Sequence, residues 1–455
     1  MANSKQLVMD ALVNKPVDRI PWVPFVGCHA AKLLNVSAED YFKSVDLIVE
    51  GARKAKEMYR PDGLPVLFDL QIEAEAMGCG VKFADENPPA VFAHPMEEGK
   101  TLADFKVPSA DEGRFPVALE ATRRLVAEMG DDIALYGLIT GPLTLALHLR
   151  GTDIFFDMVD CPEDVLALMN LCEEVCKATA KMYMDAGVDI IAVVDPMTSQ
   201  ISPANFRDFV TPACTNIFSF IRENGKGGSF FVCGNAKRNI EEMCLCKPDN
   251  ISIDENIPLD YVKEVASRYG VSTGGNIQLT VTMLLGTPAD NINDAANCCA
   301  IGGKQGFILA PGCDMPFGVP PVNVQAVAAY VHGEDADFLA NNANVGGFVP
   351  EWDKPDYANY PKVIVNVVTL DSECCAPCQY MMEAVKQAAQ GLDDVLEFHE
   401  HKVKTPDGVG AMIALGVKHI PTITVEGEVK YSSIIPGHDE LRATFESALK
   451  AKNLG

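Results

Sequence analysis

The residues best placed to do chemistry are two cysteines, Cys375 and Cys378, which lie between a β-branched run and a helical pattern. A strand, a CxxC motif and a helix in this order are the arrangement that a dithiol redox site requires. The start of a helix carries partial positive charge, which stabilises a thiolate placed there. We therefore expect Cys375 to be the attacking thiol and Cys378, one helical turn further on, to be the resolving thiol.

The elements that must hold this pair follow from the periodicity of the chain from Pro361 onward, which predicts the order βαβαββα. The predicted strands are 362–370, 395–401, 422–425 and 429–434, and the predicted helices are 378–390, 406–415 and 438–450. Because strands and helices alternate before a final hairpin, this part of the chain is expected to form one small α/β domain.

Two motifs in this domain, Cys375-x-x-Cys378 and Ile420-Pro421-Thr422, resemble those of the thioredoxin fold. In that family the second motif is a cis-proline loop packed against the dithiol. Cys374 stands where the family usually has tryptophan, so Cys374 could itself exchange disulfides. The resemblance implies a redox-active thioredoxin-like domain over residues 361–455, and a degenerate domain used only for docking is the alternative.

The size and charge of the chain limit what else it can be. A chain of 455 residues is long enough for two or three domains. Its net charge of −26 argues against nucleic acid or membrane as a partner, because phosphate-rich surfaces attract basic patches. Charged residues interrupt the N-terminal segment and no apolar run is long enough to span a bilayer, so a cytoplasmic location is expected.

Residues 1–345 alternate strand-like runs with longer amphipathic patterns, which predicts a (β/α)8 TIM barrel. The predicted strands are 20–26, 64–70, 134–138, 190–194, 229–232, 251–253, 271–274 and 307–310. A doubly wound open sheet is the alternative fold. The chain has no G-x-G-x-x-G or P-loop motif after its first strand, which weakens the nucleotide-binding forms of that alternative.

Polar residues and cysteines cluster where these predicted strands end. Chemistry in a TIM barrel gathers at the carboxyl ends of the strands, so we expect these side chains to share one rim. The candidates for binding a substrate or cofactor are Asp69, Glu73, Asp195 and Asn276, and the candidates for thiol chemistry are Cys233 and Cys313. Acidic residues are ordinary in loops, but two predicted strand ends that each carry a cysteine beside a glycine are less expected.

The order of these segments resembles the uroporphyrinogen decarboxylase superfamily, and most of all its branch of methylcobamide:coenzyme M methyltransferases. The matching segments are Lys15–Pro21, Asp69-Leu70 with Glu73–Gly78, Gly141–Thr144, Asp195-Pro196 with Ile201–Pro203, Cys233-Gly234, Asp254-Glu255, Gly275-Asn276 and Pro311–Cys313. The resemblance implies methyl transfer between a methylated corrinoid (methylcobalamin-like and held on a separate corrinoid protein) and a thiol or another nucleophile. Related barrels often pair, so a homodimer is possible.

The methyltransferase branch binds zinc through His-x-Cys and a distant Cys, and zinc lowers the pKa of an acceptor thiol. Cys233 and Cys313 match the two cysteines, but Phe231 occupies the position of the histidine. Three interpretations stay open. Another group completes a zinc site, the two cysteines act as bare thiols, or they form a reversible disulfide that a dithiol reduces. The candidates for the missing ligand are Asp195, His29, Glu73 and Asp254.

Other functions compete with methyl transfer. The chain lacks the arginine-rich N-terminal loop that binds the carboxylates of porphyrinogen, since Pro24–Ala30 stands there, and this disfavours the decarboxylase itself. A thiol-disulfide oxidoreductase whose barrel serves as a specificity module is the main rival. A tail that docks the corrinoid carrier is a third possibility. Residues 346–360, rich in Asn, Gly and Pro, are predicted to be a semi-flexible linker between the domains.

Overall fold

The central element of the first unit is a parallel β-sheet, shown by a computed structural model that describes residues 3–334, 352–373 and 375–454. The chain divides into two units, Met1–Val345 and Gly346–Gly455. The strands of the first unit are β1 Gly63–Pro65, β2 Gly80–Lys82, β3 Ala90–Ala93, β4 Ala134–Thr140, β5 Ile190–Val194, β6 Gly227–Val232, β7 Asn250–Ile253, β8 Ser272–Ile277 and β9 Phe307–Pro311. Cys374 and residues 346–351 of the predicted linker lie outside the described residues.

In the described part of the first unit, seven strands form the parallel sheet in the order β1-β4-β5-β6-β7-β8-β9. β2 and β3 form a separate antiparallel hairpin, which the sequence did not predict. The strands of the parallel sheet overlap the predicted ones, β1 only at Leu64 and Pro65, and they are buried because helices cover the outside of the sheet.

The helices between these strands begin and end at residues with suitable chemistry. Ser44 accepts a hydrogen bond from Leu47 N at 3.3 Å, and Thr287 with Asp290 forms a capping box. The α-helices are Ser4–Leu12, His29–Leu34, Ala38–Phe42, Val45–Tyr59, Ile72–Ala76, Phe115–Met129, Pro142–Arg150, Ile154–Asp160, Pro162–Ala186, Pro203–Asn205, Thr211–Glu223, Ile240–Leu245, Leu259–Arg268, Pro288–Gly302 and Pro321–Val331. Shorter 3₁₀ or π turns are Leu102–Asp104, Pro196–Gln200, Phe206–Val210, Lys237–Asn239 and Leu279–Leu284.

A short extended segment, Pro21–Val23, links the two edges of the parallel sheet. Val23 N donates to Leu309 O of β9 at 2.9 Å, and Leu309 N donates to Pro21 O at 2.9 Å. Asp62 N, directly before β1, donates to Trp22 O at 2.8 Å. Because one segment bonds to both edges, the sheet curls round on itself, as a (β/α)8 barrel requires. Only these residues of the predicted first strand, 20–26, take part in the pairing.

The predicted strand 64–70 is wrong beyond Pro65, where β1 ends. The physical reason is a change of direction near Asp69, whose carboxylate accepts a hydrogen bond from Gln71 N at 2.9 Å. This turn leads directly into the helix Ile72–Ala76. The prediction that Asn276 follows a strand is also wrong, because β8 continues to Ile277.

The closing segment is held by an ion pair between the half-buried Arg19 and a buried carboxylate. Asp62 is fully buried, and its carboxylate accepts hydrogen bonds from both terminal nitrogens of Arg19, each at 2.6 Å. Asp62 Oδ2 also accepts from Trp22 N at 2.9 Å. A bidentate pair of this kind fixes geometry as well as charge, so it sets the position of the closing segment against β1.

The second unit contains β10 Val363–Thr369, β11 Leu396–Lys402, β12 Thr422–Val425 and β13 Glu428–Ser432, with the helices Ala376–Ala389, Pro406–Ala414 and His438–Ala451. These elements confirm the predicted order βαβαββα. The sheet order is β11-β10-β12-β13, with β10 parallel to β11 and the other pairs antiparallel. The Ile420–Pro421 peptide bond is cis, as the motif implied.

The part of the predicted linker that the structure describes, residues 352–360, packs against the second unit. Tyr357 Oη accepts a hydrogen bond from Asn366 Nδ2 at 3.2 Å, and the Trp352 ring lies 5.1 Å from the His401 ring. These residues therefore belong physically to the second unit rather than to a free tether. Across the described residues, no helix is both long and apolar enough to cross a membrane.

We expect Asp62→Asn to lower the free energy of unfolding of the first unit by about 2 kcal/mol, because it removes the charge that holds Arg19. Urea denaturation followed by Trp22 fluorescence, in a Trp352→Phe background, measures this change. The matched control is Glu334→Gln, which breaks an exposed ion pair with Arg60 and should change stability by about 0.5 kcal/mol or less. Equal losses for the two variants would contradict the closing role of the Arg19–Asp62 pair.

Candidate functional site

Two cysteines meet at the rim of the parallel sheet. Cys233 directly follows β6 and Cys313 lies just beyond β9, so both leave the carboxyl ends of parallel strands. Their thiols adjoin each other, and both residues are partly exposed. The strands β7 and β8 separate β6 from β9 in the sheet, so the curl of the sheet brings the two sulfurs together.

The floor beneath the thiol pair is aromatic. Phe231 is 2% exposed, and its ring lies 5.1 Å from the ring of Phe25 and 5.9 Å from that of Phe68. Cys233 and Cys313 pack against the same hydrophobic cluster. Phe231 therefore occupies the position of the expected histidine, and its ring packs in the core but cannot bind a metal ion.

Two carboxyl groups adjoin the thiols on the loop after β7. Asp254 Oδ2 accepts a hydrogen bond from Gly234 N at 3.0 Å, next to Cys233. Gly234 has φ +82°, a left-handed conformation that favours glycine directly after the cysteine. Glu255 Oε2 lies against Gly312, beside Cys313, so closely that a side chain at residue 312 would collide with it.

Glu255 has a carboxyl oxygen at this rim that accepts no hydrogen bond from the described residues. Its Oε1 accepts a hydrogen bond from Leu279 N at 3.3 Å, whereas its buried Oε2 has no hydrogen-bond partner in the described part of the chain. Burial and the neighbouring Asp254 raise the pKa of Glu255 well above its usual value. The sequence analysis noted Glu255 beside Asp254 but did not select it, because burial of one oxygen is not visible in sequence.

The thiol of Cys233 is held in its neutral form. The adjoining thiol of Cys313, burial and the carboxylates of Asp254 and Glu255 all raise its pKa well above the usual value. A neutral thiol is a weak nucleophile, so the rim as it stands does not supply a thiolate.

The predicted zinc site can be tested against these donors. Nowhere in residues 3–334, 352–373 and 375–454 are three or more His, Cys, Asp or Glu side chains arranged to hold a metal ion. Of the groups considered as a third ligand, Asp195, Glu73 and His29 are each engaged by other partners. The fourth candidate, Asp254, adjoins Cys233, but its carboxylate accepts hydrogen bonds from Gly234 N and Asn256 N. The donors present at the rim are therefore not arranged as a three-ligand zinc site.

Asp195 caps a helix at the rim, and its predicted role in binding a cofactor stays a prediction. It is fully buried and follows β5. Its carboxylate accepts hydrogen bonds from Leu143 N at 3.0 Å, Thr144 N at 2.9 Å and Thr144 Oγ1 at 2.6 Å. These are the first donors of the helix Pro142–Arg150, where a carboxylate is favourable. Burial nevertheless raises the pKa of Asp195 to about 6.

Asp69 and Asn276 are also engaged within the fold. Asp69 forms a buried ion pair with Arg114, which also bonds to Glu75 at 2.6 Å. Asn276 Nδ2 donates to Ile257 O at 2.9 Å and to Asp254 O at 3.2 Å. Their role in binding a cofactor stays a prediction. Arg114 was missed because it lies far from Asp69 in sequence, in a loop without a motif.

His29, a candidate for the missing zinc ligand, is fully buried and hydrogen-bonded within the fold. Its Nδ1 lies 3.1 Å from Phe317 O, and its Nε2 lies 2.7 Å from Tyr59 Oη. Burial lowers its pKa to about 4, so the ring is neutral at physiological pH. Both nitrogens are occupied, which leaves neither for a metal.

Glu73 and a backbone carbonyl both contact the hydroxyl of Thr140, and Thr140 N also donates to Glu73 Oε1 at 3.1 Å. Thr140 Oγ1 lies 2.7 Å from Leu70 O and 2.9 Å from Glu73 Oε2, yet a hydroxyl has one hydrogen to donate. A protonated Glu73 resolves this, because its O–H donates to Thr140 Oγ1 while the hydroxyl donates to Leu70 O. Burial agrees, since it raises the pKa of Glu73 to about 7.

The second unit carries the predicted dithiol. Cys375 stands at the N-cap of the helix Ala376–Ala389 and is joined to Cys378 by a disulfide. Cys378 is buried, and its Sγ accepts a hydrogen bond from Leu370 N at 3.4 Å. The loop before Cys375 is anchored by the buried Asp371, which pairs with Lys402 at 2.8 Å and also with Lys404. The motif predicted the cysteines but not this anchor.

These features define an α/β protein with a curled parallel sheet, a thiol pair at its carboxyl rim and a separate dithiol unit. Over residues 3–334 the chain matches the uroporphyrinogen decarboxylase (URO-D) family, and it belongs to that family. The family covers the first unit only.

The chain is similar to individual proteins of two kinds, methyltransferases and decarboxylases. The chain is 26% identical over 327 residues to methylcobamide:CoM methyltransferase MtbA of Methanosarcina acetivorans, covering 70% of this chain and 95% of the relative. It is 24% identical over 344 residues to uroporphyrinogen decarboxylase of Anaeromyxobacter sp., covering 71% and 97%. A solved methyltransferase from Methanosarcina mazei superposes with a TM-score of 0.67 at 24% identity, covering 73% of this chain and 99% of that one. That last likeness supports the fold.

We expect Glu73→Gln to change how stability depends on pH. The folded-state pKa of Glu73 is raised, so its contribution is present below the unfolded pKa and is lost as pH rises through about 7. Glutamine keeps the donor to Thr140 at every pH. The variant should therefore gain about 2 kcal/mol on the wild type between pH 5 and pH 8, measured by urea denaturation. The exposed Glu98→Gln should show no such gain, and a pH-independent difference for Glu73→Gln would contradict a protonated Glu73.

Proposed function

We propose that the chain is a corrinoid-dependent methyltransferase. The supporting observation is the convergence of Cys233 and Cys313 at the carboxyl rim of a URO-D-family sheet. Methylcobamide:CoM methyltransferases are among its relatives, and they align over nearly their whole length. In this proposal the methyl donor is a corrinoid held on a separate corrinoid protein, and the acceptor is a small thiol or another nucleophile.

The transfer is a displacement at the methyl carbon. A bond forms between the acceptor sulfur and the methyl carbon, the cobalt–carbon bond breaks, and its electron pair stays on cobalt. The acceptor thiol must lose its proton for this to happen. The ionised form of Glu255 is suited to take that proton, because its buried Oε2 lies beside the thiol pair and has no hydrogen-bond partner among the described residues.

The residues already engaged within the fold have a different part in this proposal. Asp195 fixes the start of the helix Pro142–Arg150, and Arg114 with Asp69 fixes the turn after β1. They keep the rim in shape while the thiol pair and Glu255 contact the acceptor. The aromatic floor under the cysteines excludes water from one side of the acceptor sulfur, which favours attack on carbon over solvation.

The second unit is proposed to be a thioredoxin-like reductase for thiols. The strand order, the helix start at Cys375 and the buried Cys378 support this interpretation. A thiolate of Cys375 attacks a target disulfide, and Cys378 then displaces the target thiol and closes the Cys375–Cys378 disulfide. A purely docking unit would need neither an accessible first cysteine nor a buried second one.

We expect the purified chain to demethylate methylcobalamin in the presence of small thiols, with the methylated thiol identified by mass spectrometry. Cys233→Ser and Glu255→Gln should each lower the rate by about 100-fold, the order of magnitude for loss of a positioned catalytic group. Cys161→Ser, at a partly exposed cysteine between two helices, should keep the wild-type rate. Unchanged methylcobalamin with every thiol tried would refute methyl transfer.

We expect the chain to catalyse insulin reduction by dithiothreitol, and Cys375→Ser to abolish it because the attacking thiol is lost. Cys299→Ser, at another partly exposed cysteine, should leave the rate unchanged. Insulin reduction without any demethylation of methylcobalamin would favour the rival function, a thiol-disulfide oxidoreductase with a barrel module. Loss of insulin reduction in Cys375→Ser, with demethylation of methylcobalamin unchanged, would support both units as proposed.

A further inference from the structure

We propose that Cys233 and Cys313 form a second redox-active dithiol, which closes reversibly to a disulfide across the rim of the parallel sheet. The regulatory consequence rests on the proposed methyl transfer, since the disulfide removes the thiol pair from the acceptor site. The thiol chemistry itself does not depend on that function. The ligand class of this site is a small disulfide as oxidant and a dithiol as reductant.

The first support is that the thiols of Cys233 and Cys313 adjoin each other and that both residues are partly exposed. The two thiols adjoin each other at the rim and pack on the same hydrophobic cluster, so they are close enough to interact. Both cysteines are partly exposed, so a small disulfide can reach them. They belong to loops at two strand ends, where small backbone shifts cost less than within the sheet.

The second support is the absence of a competing use for the sulfurs. Phe231 supplies packing where a ligand would stand, and within the described residues no three His, Cys, Asp or Glu side chains are arranged to hold a metal ion. A thiol pair that is not engaged by a metal ion retains both sulfurs for exchange. The two sulfurs therefore adjoin each other, whereas the position of the expected histidine ligand is occupied by the ring of Phe231.

The third support is electrostatic. The carboxylates of Asp254 and Glu255 disfavour a thiolate at Cys233. A disulfide carries no charge, so these acids do not oppose it. Dithiols become strong oxidants when the protein stabilises the reduced thiolate, and the reverse holds here. Once formed, the Cys233–Cys313 disulfide should resist reduction by monothiols and yield mainly to a dithiol.

The exchange balances as an ordinary two-electron reaction. One rim thiolate attacks the oxidant disulfide, forms a mixed disulfide and releases one thiol. The second rim thiolate displaces the other thiol and closes Cys233–Cys313, so two electrons and two protons leave the pair. In the reverse direction a dithiol is oxidised to its disulfide while the two rim thiols are restored. The second unit carries a dithiol of this class in Cys375 and Cys378.

The chain contains a matched control for contact without access. The thiols of Cys214 and Cys246 also adjoin each other, but both residues are fully buried. If contact alone sufficed, this pair would oxidise as readily as the rim pair. If access is also required, it should stay reduced until the protein unfolds.

The test uses the full-length Cys375→Ser/Cys378→Ser chain, reduced, freed of metal with a chelator and exposed to oxidised glutathione at pH 8. After alkylation and digestion, mass spectrometry should find a Cys233–Cys313 cross-linked peptide in most chains and alkylated Cys214 and Cys246 only after unfolding. Cys233→Ser and Cys313→Ser should each stop at a glutathione adduct. Dithiothreitol should remove the cross-link at least tenfold faster than an equal thiol concentration of glutathione.

The outcomes separate this proposal from the proposed function. Methyl transfer that is lost on oxidation and restored by dithiothreitol supports both. A cross-link in a chain that never demethylates methylcobalamin supports the dithiol and refutes the transfer. Rim cysteines that remain freely alkylated after oxidation, or one zinc per chain that shields them and is lost in Cys233→Ser, would overturn the dithiol whatever the activity.

Discussion

The closure of the parallel sheet is the constraint on which the rim depends. Cys233 and Cys313 leave strands that are not neighbours, so in a flat sheet their sulfurs would lie roughly 14 Å apart, three strand spacings. The segment Pro21–Val23 bonds to both edges and forces the curl, and the Arg19–Asp62 pair holds that segment. A distant ion pair thus decides whether two thiols can touch.

Most of the buried acids near the rim accept hydrogen bonds on their carboxyl oxygens from neighbouring residues, whereas Glu255 does so on one oxygen only within the described residues. The carboxyl groups of Asp69, Asp195 and Glu73 each satisfy local donors, and their burial is tolerated for that reason. Glu255 keeps one buried oxygen without a partner. A buried oxygen without a hydrogen-bond partner costs free energy, and this one belongs to a carboxyl group beside the thiol pair, whose pKa burial raises.

The two thiol pairs of the chain have opposite surroundings. Cys375 stands at the positive end of a helix, which favours its thiolate and suits it to attack. Cys233 lies beside two carboxylates over an aromatic floor, which favours its neutral thiol. The surroundings of the first pair therefore favour a nucleophilic thiolate, and those of the second pair favour a neutral thiol.

The sequence alone determined the alternation of elements, the order βαβαββα of the second unit, the dithiol motif and the two strand-end cysteines, because periodicity and local motifs are encoded over a few residues. The partners of buried groups were decided only by tertiary structure. Arg114 meets Asp69, Pro21–Val23 meets both edges of the sheet, and Glu255 loses water on one oxygen through contacts between residues far apart in the chain. Such contacts leave no local signal, since they depend on how the closed sheet brings distant loops together.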